Sequence, residues 1–280
     1  MAATNLYFAK ALADATGASN AGTALAVALA IDVASPTAEA TISGTASADA
    51  VTVTATVNGV SNATSFSGNG DTEVGAAGAL AINVADADSR AAVELGGSVS
   101  ATTASGDVTI HAIAIANDSA IAAGTTAGFV GLGVGTSFAL NVTLDDATAE
   151  VAGVVNSLLN VTLLAEGTYT AVTYAEGGAT AGTGVAPAIA LQVTDDDTAA
   201  LVDTAAMLQV GGALLVRSTY TKDSDTKAKG AVASLWTALG AAVAAGFGVD
   251  TGRASVSGTA NVTGAATILA EMDGVSVTES

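Results

Sequence analysis

The sequence has no cysteine, which excludes disulfides and thiolate metal sites. It has one histidine, His111, and a lone imidazole without Cys or a second His makes no zinc site. Aromatic residues are 4% of the chain, too few for the girdles of an outer-membrane barrel. Bases are as scarce: 7 Lys and Arg against 26 acids give a net charge of −19. That excludes nucleic acid as a partner, because phosphate binding needs Lys and Arg, and it opposes attachment to anionic lipid. No apolar run approaches the roughly 18 residues of a spanning helix. The richest, Leu239 to Val249, is short and interrupted by glycine. Met1 to Thr16 carries one base, Lys10, and no continuous apolar stretch, so no secretory signal is expected.

What remains is half apolar, chiefly Ala and Val, with 32 Gly and abundant Thr, Ser, Asp and Asn. Thr and Val favour strands, and Gly, Asp and Asn favour turns. So much aliphatic content is incompatible with disorder.

The chain repeats. Five segments align without gaps: 29–42 (LAIDVASPTAEATI), 80–93 (LAINVADADSRAAV), 138–151 (FALNVTLDDATAEV), 189–202 (IALQVTDDDTAALV) and 243–256 (VAAGFGVDTGRASV). By subtraction their starts lie 51, 58, 51 and 54 residues apart. A shorter segment follows each: VTVTA at Val51, VTIHA at Val108, VTLLA at Val161, LLVRS at Leu214 and TILAE at Thr267. Two independent markers with one period imply a single continuous array over 1–280, built from about five units of roughly 53 residues.

Within each anchor, positions one, three and five are large, as in Leu29, Ile31 and Val33 or Phe138, Leu140 and Val142. Position two is Ala in every copy: Ala30, Ala81, Ala139, Ala190 and Ala244. Period two reads as strand. The large residues are expected to form a buried row, with the Ala face packing closely on another layer or forming a smooth exterior. After a polar turn, Ala returns at position twelve (Ala40, Ala91, Ala149, Ala200, Ala254) and an aliphatic two residues on, sharing one face. Ala231 to Ala245, where Leu235, Trp236 and Leu239 have helical spacing, is read as strand because it occupies a strand's place in the other copies. Elsewhere a helix through the Gly-Ala runs would cost about 1 kcal/mol per Gly. The fold expected is all-β, a parallel β-helix or β-solenoid in which each unit buries its apolar face on its neighbours. Fully extended, one unit would run roughly 175 Å at about 3.3 Å per residue, so two or more coils per unit and one wide folded coil both remain open. The array shows no polar caps, which predicts either a segment of a longer array or a subunit stacking end to end.

The succession of a Gly-rich run, LAINV, an Asp-rich turn, an Ala-x-Val strand and VTI resembles the repeats of large bacterial filamentous surface adhesins of the haemagglutinin and leukotoxin-like type. The resemblance covers the whole chain and brings no site residues with it. It implies an extracellular, cell-surface, non-catalytic shaft with structural or adhesive function. Its partners would be flanking repeats, further copies of itself, or a cell-surface or glycan target.

Candidate sites follow the repeat. The turns carry Asp86 and Asp88, Asp145 and Asp146, Asp195, Asp196 and Asp197, and Asp250. Stacked in register, these acids would line one edge, and a hard divalent cation such as Ca²⁺ would relieve their repulsion. Metal ligands are therefore sought at Asp145, Asp146, Asp195, Asp196, Asp197 and Asp250, with a solvated acidic turn as the plain alternative. No other cofactor is implied. Asp32, Asn83, Asn141 and Gln192 share one position and can form a side-chain ladder or face solvent. His111 is expected on the outer side of its strand. Asn-x-Ser/Thr triplets stand at Asn62, Asn117, Asn141, Asn160 and Asn261. A row of Thr52, Thr109 and Thr162 is broken by Leu215 and Ile268 in the proposed alignment. The alternative function is a polysaccharide-binding or polysaccharide-cleaving β-helix protein. Cleavage needs a unique carboxylate pair in a cleft, whereas these acids recur with the repeat, so no enzymatic activity is expected.

Overall fold

A computed structural model describes residues 1–17, 22–70, 73–103, 106–128 and 131–280. The described residues form strands and turns without a helix. The chain winds through successive rungs. The first holds β1 (Ala2–Thr16), β2 (Thr23–Ala34), β3 (Thr37–Ile42) and β4 (Thr45–Ala48). The next holds β5 (Val51–Asn69), β6 (Val74–Ala85), β7 (Asp88–Val93) and β8 (Ser98–Ala101). Then come β9 (Val108–Ala127), β10 (Leu132–Thr143), β11 (Asp146–Val151) and β12 (Val154–Ser157). In the following rungs the first two strands fuse: β13 (Val161–Thr194) precedes β14 (Asp197–Val202) and β15 (Met207–Val210), and β16 (Leu214–Gly248) precedes β17 (Thr251–Val256) and β18 (Thr259–Val262). Last is β19 (Ala266–Glu279).

Every pairing is parallel and joins one rung to the next, which makes the molecule a parallel solenoid. Two five-stranded sheets hold the six-residue and four-residue strands, ordered β3-β7-β11-β14-β17 and β4-β8-β12-β15-β18. A larger sheet folds over on itself. Its outbound arm stacks β1, β5, β9, the first part of β13 and of β16, and β19; its return arm stacks β2, β6, β10 and the later parts of β13 and β16. The sequence anchors meet in register: Leu29 pairs Leu80, Leu80 pairs Phe138, Phe138 pairs Ile189, and Ile189 pairs Val243.

Two cores result. The first half of the outbound arm faces the two short sheets and encloses a prism filled by branched residues, among them Val53, Ile110, Leu163, Val93, Val151, Val99 and Leu208. The expected Ala40-Ile42 face and its equivalents belong to this prism. The second half of the outbound arm lies directly on the return arm, and the apolar lining of this wing is alanine: Ala63, Ala120, Ala122 and Ala175 against Ala79, Ala81, Ala139, Ala188 and Ala190. Glycine shows how close the arms come. A Cβ on Gly124 would stand 2.0 Å from the carbonyl oxygen of Thr136, and one on Gly135 would stand 2.0 Å from that of Gly178. Backbone meets backbone there, leaving room for hydrogen or methyl only.

That closeness inverts one expectation. Leu29, Leu80, Phe138, Ile189 and Val243 do form a row, but the row lies on the outside, while Ala30 and its equivalents point inward. The slot between the arms admits a methyl group and rejects an isobutyl, so the large residues of the return arm are turned out. A second expectation shifts by one residue. Leu214 pairs Ala266, not Thr267, so Ile268 rather than Leu269 continues the inward row of Val216, and Thr267 rather than Ile268 lies beside Leu215. A slip of one residue exchanges the two faces of a strand. The stretch Ala231 to Ala245 is strand, as the repeat predicts.

Candidate functional site

Where prism and wing join, the interior turns polar. The turn after each return arm places one residue outward and the next inward. The inward position is Ala87 beside β7, then Asp145, Asp196 and Asp250 in successive rungs. Asp145 and Asp196 are 0% and 1% exposed. Asp145 Oδ1 accepts from the Ala87 N–H at 2.9 Å, and Asp196 Oδ1 accepts from Thr143 Oγ1 at 3.0 Å. Lys222, nearly buried, donates to Asp196 Oδ2 at 2.8 Å and to Asp250 Oδ1 at 2.6 Å. Asp118 enters the same seam from β9 and is buried, with both carboxyl oxygens lacking any other donor. Its carboxyl stands beside that of Asp145, whose Oδ2 is likewise without a partner. Burial holds both carboxyls well above the usual carboxylate range, and the neighbouring Asp charges add to this. One proton between them would supply the donor that Asp118 and the Oδ2 of Asp145 lack.

Beside these acids runs the ladder position. Asp32, Asn83, Asn141 and Gln192 are all inward and buried. Ser61 donates to Asn83 Oδ1 at 2.7 Å and to Asp32 Oδ2 at 3.1 Å, and Asn83 Nδ2 donates to Asn141 Oδ1 at 2.9 Å. Gln192 accepts from Thr173 and Thr226. The position lies buried inside the wing rather than on a solvent face, and of the expected ladder one rung is found, Asn83 to Asn141, while Asp32 and Gln192 bond to hydroxyls of the facing arm. Such satisfied networks fix register, since a slipped strand would leave buried amides unpaired.

The outward half of the acidic turn behaves differently. Asp88, Asp146 and Asp197 pair in register along one edge. Partial burial, with Asp88 and Asp197 on either side, pushes the Asp146 carboxyl up to about 6. Asp195 is exposed. The six residues sought as cation ligands are therefore divided, with Asp145, Asp196 and Asp250 inside and Asp146, Asp195 and Asp197 outside. Among the described residues no three acidic or imidazole side chains converge as metal ligands would.

Other singled-out residues fall into place. His111 points outward, half-buried, with Nε2 3.1 Å from Glu166 Oε2 on the adjacent β13. Arg90 bridges three rungs through Glu39 (3.1 Å), Glu94 and Glu150 (2.6 Å). Asn141 is fully buried and closed to glycosylation in the folded chain, while Asn160 and Asn261 are exposed.

The feature that sequence reasoning missed is the outer face of the return arm. Its rows hold Leu25, Val27, Leu29, Ile31 and Val33 in β2 and Val134, Thr136, Phe138, Leu140 and Val142 in β10. Across five strands in register these five rows contain no charge and one polar side chain, Thr136; Thr23, Thr183 and Thr237 lie in the row before them. Leu25 is 71% exposed and Phe247 64%. The outer face of the outbound arm is mixed by contrast: Leu6, Phe8, Leu12 and Phe66 stand out on it, but among Lys10, Asn62, Glu176, Lys227 and Lys229. The available signal was Ala at position two in every copy, since a position that takes nothing larger is the crowded one.

In comparisons with protein-family models, curated proteins and solved structures, nothing matches this chain.

Proposed function

We propose that the chain is a non-catalytic shaft of about five parallel β-helix coils of roughly 53 residues, part of an extracellular adhesive or structural scaffold on a bacterial surface. The observation that carries this reading is the unbroken parallel register, in which each rung repeats the chemistry of the one before. A stack of that kind resists axial bending and lengthens by adding rungs. Strands β1 and β19 carry a ladder on one side only, and flanking repeats or the next copy end to end would continue it. The interior carboxylates hold the seam together and are closed to substrate, as the burial of Asp118, Asp145 and Asp196 requires. Electron microscopy of source cells, with antibody raised against the chain, tests the proposal. Labelled thin stalks or filaments at the cell surface, with rungs about 4.8 Å apart in diffraction, are expected. Label confined to the cell interior, or turnover of a polysaccharide panel by the purified chain, would overturn it.

A further inference from the structure

The structure assigns a partner to the apolar face of the return arm: a second copy of this chain, packed sheet on sheet with its solenoid axis parallel to the first. This stands independently of the shaft reading, since it rests on one face and not on what the array does in a cell.

Three observations converge on it. The first is charge. A chain of net charge −19 repels its own copies wherever acids face outward; the return arm carries none, and the other acid-free sheet face, that of β4, β8, β12, β15 and β18, is lined mostly by Ser, Thr, Asn and Gln rather than by apolar side chains. The same net charge disfavours an anionic lipid surface as occupant. The second is area. Five strands about 4.8 Å apart and five outward rows about 6.7 Å apart span roughly 500 Å², at the upper end of the patches that monomers leave open. Two such faces together bury roughly 1,000 Å², which reaches the range of specific interfaces. The third is relief. The row Leu80, Phe138 and Ile189 stands as a ridge, and the row beside it, Gly78, Thr136 and Pro187, is low. A groove runs between them, walled by both rows.

Ridge and groove decide the symmetry. An isologous pair needs a two-fold axis. An axis along the solenoid direction, set between the two rows, exchanges left for right and lays each copy's ridge in the other's groove at the same rung. An axis along the strands would set ridge against ridge. The first arrangement keeps the two solenoids pointing the same way, so shafts can pair along their whole length. Packed sheets of this kind sit about 10 Å apart.

The absence of cysteine makes the test clean. Sedimentation is run across concentrations on the parent chain, on Phe138→Glu and Ile189→Glu, and on Thr168→Glu from the mixed outer face of the outbound arm as control. The parent and Thr168→Glu are expected to dimerise, and the two apolar-face variants to dissociate at least about 100-fold more readily, as a buried unpaired carboxylate demands. Circular dichroism of the separated monomers should be unchanged, because these side chains lie outside the fold's own core. Register is read by mixing Thr136→Cys copies with Phe138→Cys copies and adding a short bismaleimide. Cross-linking of the mixture well above that of either variant alone supports the parallel arrangement. A parent that stays monomeric to about 100 µM, where even a dimer at the 1 mM–1 µM scale of weak association would show, overturns the proposal. So do Phe138→Glu dimers as tight as the parent's, and a monomer that binds phosphatidylcholine vesicles through this face.

Discussion

The prism and the wing are built from the same strands, yet they are held together in different ways. In the prism, residues such as Leu163 and Ile110 each contribute about 1.5–3 kcal/mol on burial, and three sheets surround them. In the wing, the buried alanines offer about one methyl each, worth about 0.8 kcal/mol, and the arms are instead drawn together until Gly124 touches a carbonyl. The prism gains from volume and the wing from closeness. A wing that thin cannot hold its large residues, so they stand outside on a flat apolar face. The exposed leucines of the return arm follow from the alanines behind them.

The clearest way to break this comparison lies at the seam between the two regions. Lys222→Met leaves Asp196 buried without its cation, and unfolding in denaturant is expected to lose about 3–5 kcal/mol at neutral pH. An unchanged midpoint would mean that the seam is wet.

Truncation should hurt the prism. Leu163→Ala is expected to cost about 2–5 kcal/mol, measured in the same way. Enlargement should hurt the wing. Gly124→Ala adds a single methyl and is expected to cost about 1–3 kcal/mol, because the neighbour in its way is backbone. In an ordinary strand the same change would help.

The smallest effect expected is with pH. Asp118 and Asp145 hold protons when folded that they release when unfolded, because their folded pKa values are raised. The folded state therefore binds more protons than the unfolded one above the ordinary carboxylate range of about 4, and stability falls as pH rises through neutrality. Asp145→Asn keeps an acceptor for Ala87 and gives Asp118 a donor. It should flatten the profile, raising stability at pH 9 by about 1 kcal/mol while changing little at pH 5. Thermal melts from pH 5 to 9 measure it, and parallel profiles for parent and variant would remove the shared proton from the account.

Strand, turn, period and register were legible in the sequence because each rests on local pattern, and the anchors recurred closely enough to align. Which side of the return strand lies inside was not legible from alternation alone, because Leu29 and Ala30 alternate identically whichever points inward. Hydrophobicity favours leucine inside, and the facing arm forbids it. The division of the acidic turns was hidden for a related reason. Asp145 and Asp146 are neighbours in sequence, but a corner sends one into the seam and the other to the edge. Only the contact with β9 brings Asp118 to Asp145, across 27 residues by subtraction.

The alanine-in, leucine-out wing is the claim on which the rest depends, and adjacent residues of β10 test it. Equilibrium unfolding is compared for Ala139→Leu and Leu140→Lys, at a concentration where both are monomeric. Ala139→Leu forces three extra carbons into the closed slot and should lose about 3 kcal/mol or more. Leu140→Lys changes an outward side chain and should stay within about 1 kcal/mol of the parent. A severe loss for Leu140→Lys with Ala139→Leu tolerated would put leucine inside and contradict the account.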